Sequence, residues 1–116
     1  MTIWHYIVCA NGIYDIICAY CILFEPNTYF AKIHMSIFTD ASVSSPITSR
    51  LLAYWLYTYG FIRIGIMYPD TRLIVASTYF IEAGAYANES LVYDSTYTYK
   101  SAWVAITSVI LGYMIL

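Results

Sequence analysis

Four apolar runs, separated by short stretches of polar residues or proline, set the pattern of this chain. The first covers Ile3 to Phe24 and stops at Glu25-Pro26. The second runs from Leu51 to Tyr68 and stops at Pro69-Asp70. The third runs from Leu73 to Tyr93, and the fourth from Ala102 to Leu116. About 20 predominantly apolar residues cross a bilayer as a helix. The pattern therefore predicts an all-α integral membrane protein with four transmembrane helices in a single polytopic domain, residues 1–116. The linker "PDT" (69–71) is so short that the second and third spans must form an antiparallel hairpin.

A different rhythm fills the gap between the first two spans. Tyr29, Phe30, Ile33, Ile37 and Phe38 recur at helical spacing, with Lys32, Ser36 and Asp40 between them. This predicts a short amphipathic helix lying in the membrane interface. The polar run "SVSSPITS" (42–49) then reads as a loop, with Thr48 or Ser49 capping the second span. Trp4, Trp55, Trp103 and the tyrosines Tyr93, Tyr97 and Tyr99 fall near predicted span ends, where amphipathic rings settle at the headgroup level.

Composition supports a lipid solvent. Only 10% of the residues are charged and 61% are hydrophobic, whereas soluble domains carry about 25% charged residues. The net charge of −2 argues against nucleic acid, which selects a basic face. The basic N-terminal region of a cleavable signal is not visible, so the first run reads as a retained span that also directs insertion. The cysteines Cys9, Cys18 and Cys21 share that span, and their odd number allows no complete disulfide framework; they read as packing residues. Lys32, Arg50 and Lys100 fall on one side of a four-span topology and Arg72 on the other, which places the loops bearing the first three in the cytosol or a matrix-like compartment.

Four ionisable residues lie inside the runs: Asp15, Arg63, Glu82 and Glu89. Each would cost about 3 kcal/mol against lipid at mid-span. They must therefore face inward, pair, take up protons, sit near the interface or meet another subunit. Glu82, Tyr86, Glu89 and Tyr93 step along one helical face, as do Asn11, Asp15 and Cys18. Arg63 is the only cation among the four and reads as the hub, able to fork onto one carboxylate bidentately and bond others. Counted from the tight turn, Arg63 and Glu82 are offset by about 7 Å along facing helices. The expected network is Arg63 with Glu89, joined by Glu82 and Asp15. The small residues Ala83, Gly84, Ala85 and Ala87 would let a neighbouring helix approach closely.

Candidate catalytic chemistry is sparse. His5 and His34 are the only histidines, without the Glu-x-x-His repeats of a carboxylate-bridged metal centre. There is no Gly-x-Ser-x-Gly elbow and no phosphate-binding glycine loop. The sequence thus predicts no enzyme, no cofactor and no metal.

"SRLLAYWLYTYGFIR" (49–63), followed by "GAYANESLVY" (84–93), resembles the ergosterol biosynthetic protein twenty-eight family. The matching positions are Arg50, Trp55, Arg63, Gly84, Glu89 and Tyr93, and the likeness covers about half the chain. Where the family has His-Phe after the glycine, this chain has Ala85-Tyr86, and it closes on the apolar "VILGYMIL" (109–116) instead of a basic tail. The resemblance implies a small four-span scaffold that tethers sterol C-4 demethylation enzymes to the endoplasmic reticulum membrane. Its partners would be other integral membrane proteins of a larger assembly, together with membrane lipids. The departure at the tail points to an alternative, an accessory subunit of a mitochondrial respiratory-chain or other energy-converting complex. A small proton-coupled carrier is a third reading, carried by the in-span carboxylates.

Overall fold

The computed structural model describes residues 1–39 and 46–116. Helix α1 spans Ile3–Phe24, as the apolar run predicts. Its start is tied by a 3.0 Å bond between the Thr2 hydroxyl and His5 Nδ1. It ends where the Glu25 N–H reaches back to the Cys21 carbonyl at 2.8 Å, one residue before a proline that opposes further helix. Helix α2 covers Tyr29–Met35, with the Thr28 hydroxyl accepting from the Ala31 N–H. Helix α3 runs Pro46–Ile64 and tightens into a 3-10 turn over Gly65–Met67. Helices α4, Arg72–Leu91, and α5, Thr98–Ile115, complete the chain.

Two boundaries differ from the sequence reading. The second span begins as a helix at Pro46, not at Leu51, so Thr48 and Ser49 lie within its first turn and do not cap it. Proline suits that first position because its missing N–H is one the helix would not use. Residues 42–45 of the expected loop, and Asp40, lie outside the described residues. Helix α2 stops at Met35, so Ile37 and Phe38 are not helical. Ser36 and Ile37 form a turn instead, with the Ile37 N–H on the His34 carbonyl and the Phe38 N–H on that of Met35, both at 3.3 Å. Phe38 forms an antiparallel bridge with Thr96, while Thr39 N–H bonds the Ser95 carbonyl and Tyr97 N–H the Ile37 carbonyl, both at 2.9 Å. This staple joins the α2 segment to the α4–α5 connection.

The long helices pack as two pairs, α1 on α3 and α4 on α5. The first pair meets backbone to backbone. A Cβ added at Gly12 would lie 2.6 Å from the Gly60 carbonyl oxygen, and one at Gly60 would lie 2.7 Å from that of Gly12. Only glycine permits this approach on both sides. In the second pair, Gly112 rests against the Phe80 ring and Tyr79 Cβ. Gly84, one of the small residues read as a surface for another helix, faces open space within this chain.

Apolar clusters occupy the two ends of the bundle. One gathers Cys18, Ala19, Cys21, Ile22, Ala31, Leu52, Ala53 and Leu56. The other gathers Val8, Ile66, Val75, Ala76, Tyr79 and Ile115. Cys18 and Cys21 are thus packing residues, and all three thiols are unpaired. The outer surface is also apolar: Leu73 and Trp103 are each 74% exposed, and Ile106 is 60% exposed. Trp103 stands outward as a belt residue would, but Trp55 does not. It stacks on Tyr86 at 5.9 Å and meets Tyr59 edge-on. Among the described residues, one helix, Ile3–Phe24, is long and apolar enough to cross a membrane, and only 33% of its most apolar stretch is buried within the fold. The fold class is all-α with membrane-spanning capacity in α1.

The glycine contact yields a paired expectation. Gly60→Ala should lower the thermal unfolding midpoint, at a cost of about 1–3 kcal/mol, because its methyl meets backbone. Gly84→Ala should raise it, by up to about 1 kcal/mol, because alanine favours the helix and nothing obstructs it. Equal responses at the two sites would contradict the α1–α3 contact.

Candidate functional site: a buried arginine layer and the cavity beside it

Between the two apolar clusters lies one polar layer, centred on Arg63. The residue is 1% exposed, and its guanidinium nitrogens reach neighbours on two helices, α1 and α4. Nε donates to the Thr78 hydroxyl at 3.1 Å. Nη1 donates to Asp15 Oδ2 at 2.7 Å and to Asn11 Oδ1 at 3.4 Å. Nη2 donates to Glu82 Oε2. The planar group also lies over the Tyr79 ring, 3.9 Å from its centroid, and 5.3 Å from that of Tyr59. A low-dielectric interior makes each of these contacts strong and each missing one costly.

The neighbours are themselves held. Tyr79 donates its hydroxyl to Asn11 Oδ1, so α4 and α1 are bonded directly. Ser108 on α5 donates to Glu82 Oε1 at 3.2 Å. Thr78 donates to the Val75 carbonyl at 2.7 Å, which leaves its oxygen free to accept from Arg63. All four long helices therefore contribute to the layer. The Gly12–Gly60 contact is what makes it possible, since it brings Asp15, three residues beyond Gly12, alongside Arg63, three beyond Gly60.

Three of the four expected network members converge: Asp15, Arg63 and Glu82. Glu89 does not. It shares the α4 face with Glu82, but seven residues separate them, about 10.5 Å of helix axis, beyond the reach of an arginine already committed to Glu82. Instead Glu89 accepts a hydrogen bond from the Ser95 hydroxyl just past the end of α4, and its carbonyl takes the Ser95 N–H at 3.0 Å. The arginine fork is also split, one nitrogen to each of two carboxylates, where a bidentate grip on one was expected. The offset between Arg63 and Glu82 is closed by the length of the arginine side chain.

The positions of the family pattern scatter. Arg50 is exposed near the start of α3, Gly84 faces open space, and Tyr93 is 66% exposed beyond α4. Arg63 of that set is buried, and Trp55 and Glu89 are half-buried. Thr78, Tyr79 and Ser108 were not singled out from the sequence. The signal for Thr78 was its spacing of four from Glu82, which puts both on one helical face.

A cavity of about 780 Å³ opens beside the layer, with walls from all five helices. Glu82 and Asp15 mark its polar side; Trp55, Tyr86 and Trp103 supply aromatic walls. His34 also lines it, its ring 5.8 Å from that of Tyr14, and its Nδ1 is buried without a partner among the described residues. Burial, and then the charge of Arg63, lower the His34 pKa from 6.5 to about 4. No protein-family model matches the chain, and neither do curated proteins or solved structures.

The depressed His34 pKa fixes a sign. Between about pH 6.5 and 4 the unfolded chain binds this proton and the folded chain does not. His34 therefore makes stability fall as pH drops through that window. Replacing His34 with Phe should flatten that part of the melting-temperature profile in detergent. An unchanged slope would show that other groups set it.

Proposed function

We propose that this chain is a non-enzymatic, four-span membrane scaffold or accessory subunit that helps hold a larger membrane assembly together. The observation that carries the reading is its inverted polarity. The cation and one carboxylate of the central layer, Arg63 and Asp15, are buried, Glu82 is half-buried, and the three are bonded to one another, while large apolar side chains face outward from α1, α4 and α5. A bilayer and apolar partner helices are the surroundings that suit such a surface. In this reading α3, α4 and α5 cross the membrane beside α1.

The commitments of Arg63 support a structural role over a chemical one. Each of its nitrogens is engaged with a fixed neighbour, and each carboxylate that faces it is already bonded. Such a layer sets helix register, the best-attested use of buried ionic groups. Following the family resemblance, the assembly is the set of sterol C-4 demethylation enzymes at the endoplasmic reticulum. The chain would act there as their tether and contribute no catalytic group.

Extraction in mild detergent, purification through a small tag and mass spectrometry of co-purifying proteins test this proposal. Sterol dehydrogenases and oxidases should appear with the wild-type chain and be lost with Arg63→Leu. Stoichiometric respiratory-chain subunits would instead assign it to an energy-converting complex in the mitochondrial inner membrane. Recovery of the chain alone, at normal abundance, would contradict the scaffold role.

A further inference from the structure

The polar layer explains how the bundle closes but leaves the cavity beside it unexplained. The cavity is a cleft of about 780 Å³, open at the side of the bundle. That volume falls in the range of about 300–1,000 Å³ typical of small-molecule sites. Nor is the space lined at random. Aromatic rings, including the stacked Trp55–Tyr86 pair, form its walls. Its polar side presents carboxylates, Glu82 and Asp15, that outnumber the single buried cation between them.

We infer that the cavity is a binding site for a neutral lipid alcohol, a largely apolar body carrying one hydroxyl donor. The hydroxyl donates to Glu82 Oε1, which among the described residues accepts only from Ser108 Oγ at 3.2 Å. A carboxylate oxygen accommodates a second donor, and bonds to charged acceptors are the stronger kind. At Glu82 an anionic head such as a fatty acid's is disfavoured, because it would add a third carboxylate beside one guanidinium. Lys100, a cation on the wall, is engaged with the Ser36 carbonyl and stands eight residues before Ser108, about 12 Å along α5. A bare hydrocarbon fills the aromatic walls but leaves Glu82 without its second donor.

The entrance fits a ligand drawn from a lipid phase. Trp103 and Thr107, both exposed on α5, line the cavity, so the opening is on the side of the bundle. The lipid source, though not the head-group preference, rests on the membrane reading above.

The test uses the full chain in detergent with a photoreactive long-chain alcohol, competed by hexadecanol, hexadecane or palmitate. Hexadecanol should displace the probe at about ten-fold lower concentration than hexadecane, the ratio expected for one hydrogen bond to a charged acceptor. Palmitate should compete worse than hexadecanol. Labelled peptides should map to α3, α4 and α5. Thr107→Trp, which fills the entrance from an exposed position, should remove labelling while helicity by circular dichroism is kept; Val104→Trp serves if that variant misfolds. Equal competition by hexadecane, stronger competition by palmitate, or labelling that survives both tryptophan variants would overturn the inference. Alkaline carbonate washing of membranes tests the location separately. Release of the chain would reject the membrane reading and leave the head-group result standing.

Discussion

A guanidinium that is 1% exposed can persist only if its surroundings replace the water it has lost. Arg63 sets that condition for the whole bundle. Its planar array of donors needs acceptors at fixed directions, and these come from Asn11 and Asp15 on one neighbouring helix and from Thr78 and Glu82 on another. The rest of the packing serves this arrangement. Gly12 and Gly60 let α1 and α3 touch at their backbones, which brings Asp15 within 2.7 Å. Gly112 lets α5 approach α4 closely, and Ser108 then reaches Glu82.

The arrangement matters most in a lipid solvent. Between helices in a bilayer there is little hydrophobic drive, because lipid tails are as apolar as leucine side chains. Close packing at glycines and polar contacts must then specify which faces meet. Here the two devices lie one turn apart, at Gly60 and Arg63, so the same turn of α3 supplies both. Such a layer contributes specificity more reliably than net stability, which suits a protein whose proposed work is to present a fixed outer surface to partners. The cavity lies on the same layer, and Glu82 belongs to both: one oxygen meets Arg63 and the other faces the α5 side.

Much of this was legible in the residues. The first span was, from end to end, because Pro26 stops it and its run is predominantly apolar over 22 residues. The start of α3 was not, since "PITSR" is polar and reads as loop, although Pro46 serves as a first helical residue. The cost of a charge in lipid identified Asp15, Arg63 and Glu82 as residues that must be satisfied. It also drew in Glu89, because a face shared on a helix says nothing of distance along its axis. Ser108 and Thr78 escaped notice, as hydroxyls are common in such helices and most bond their own backbone. Gly12 and Gly60 look no different in sequence from Gly65 and Gly84, which face open space. Only the partner helix distinguishes them.

The central claim is that Arg63, Asp15 and Glu82 act as one unit. The most direct measurement is the unfolding stability, in one detergent, of Arg63→Met, of Asp15→Asn with Glu82→Gln, and of the three changes together. Removal of Arg63 alone leaves two buried carboxylates without their cation, and should cost about 3–5 kcal/mol. The combined variant, with the carboxylates neutralised as well, should regain a large part of that loss. If the losses simply add, the three residues are independent, and the layer does not hold the bundle in register.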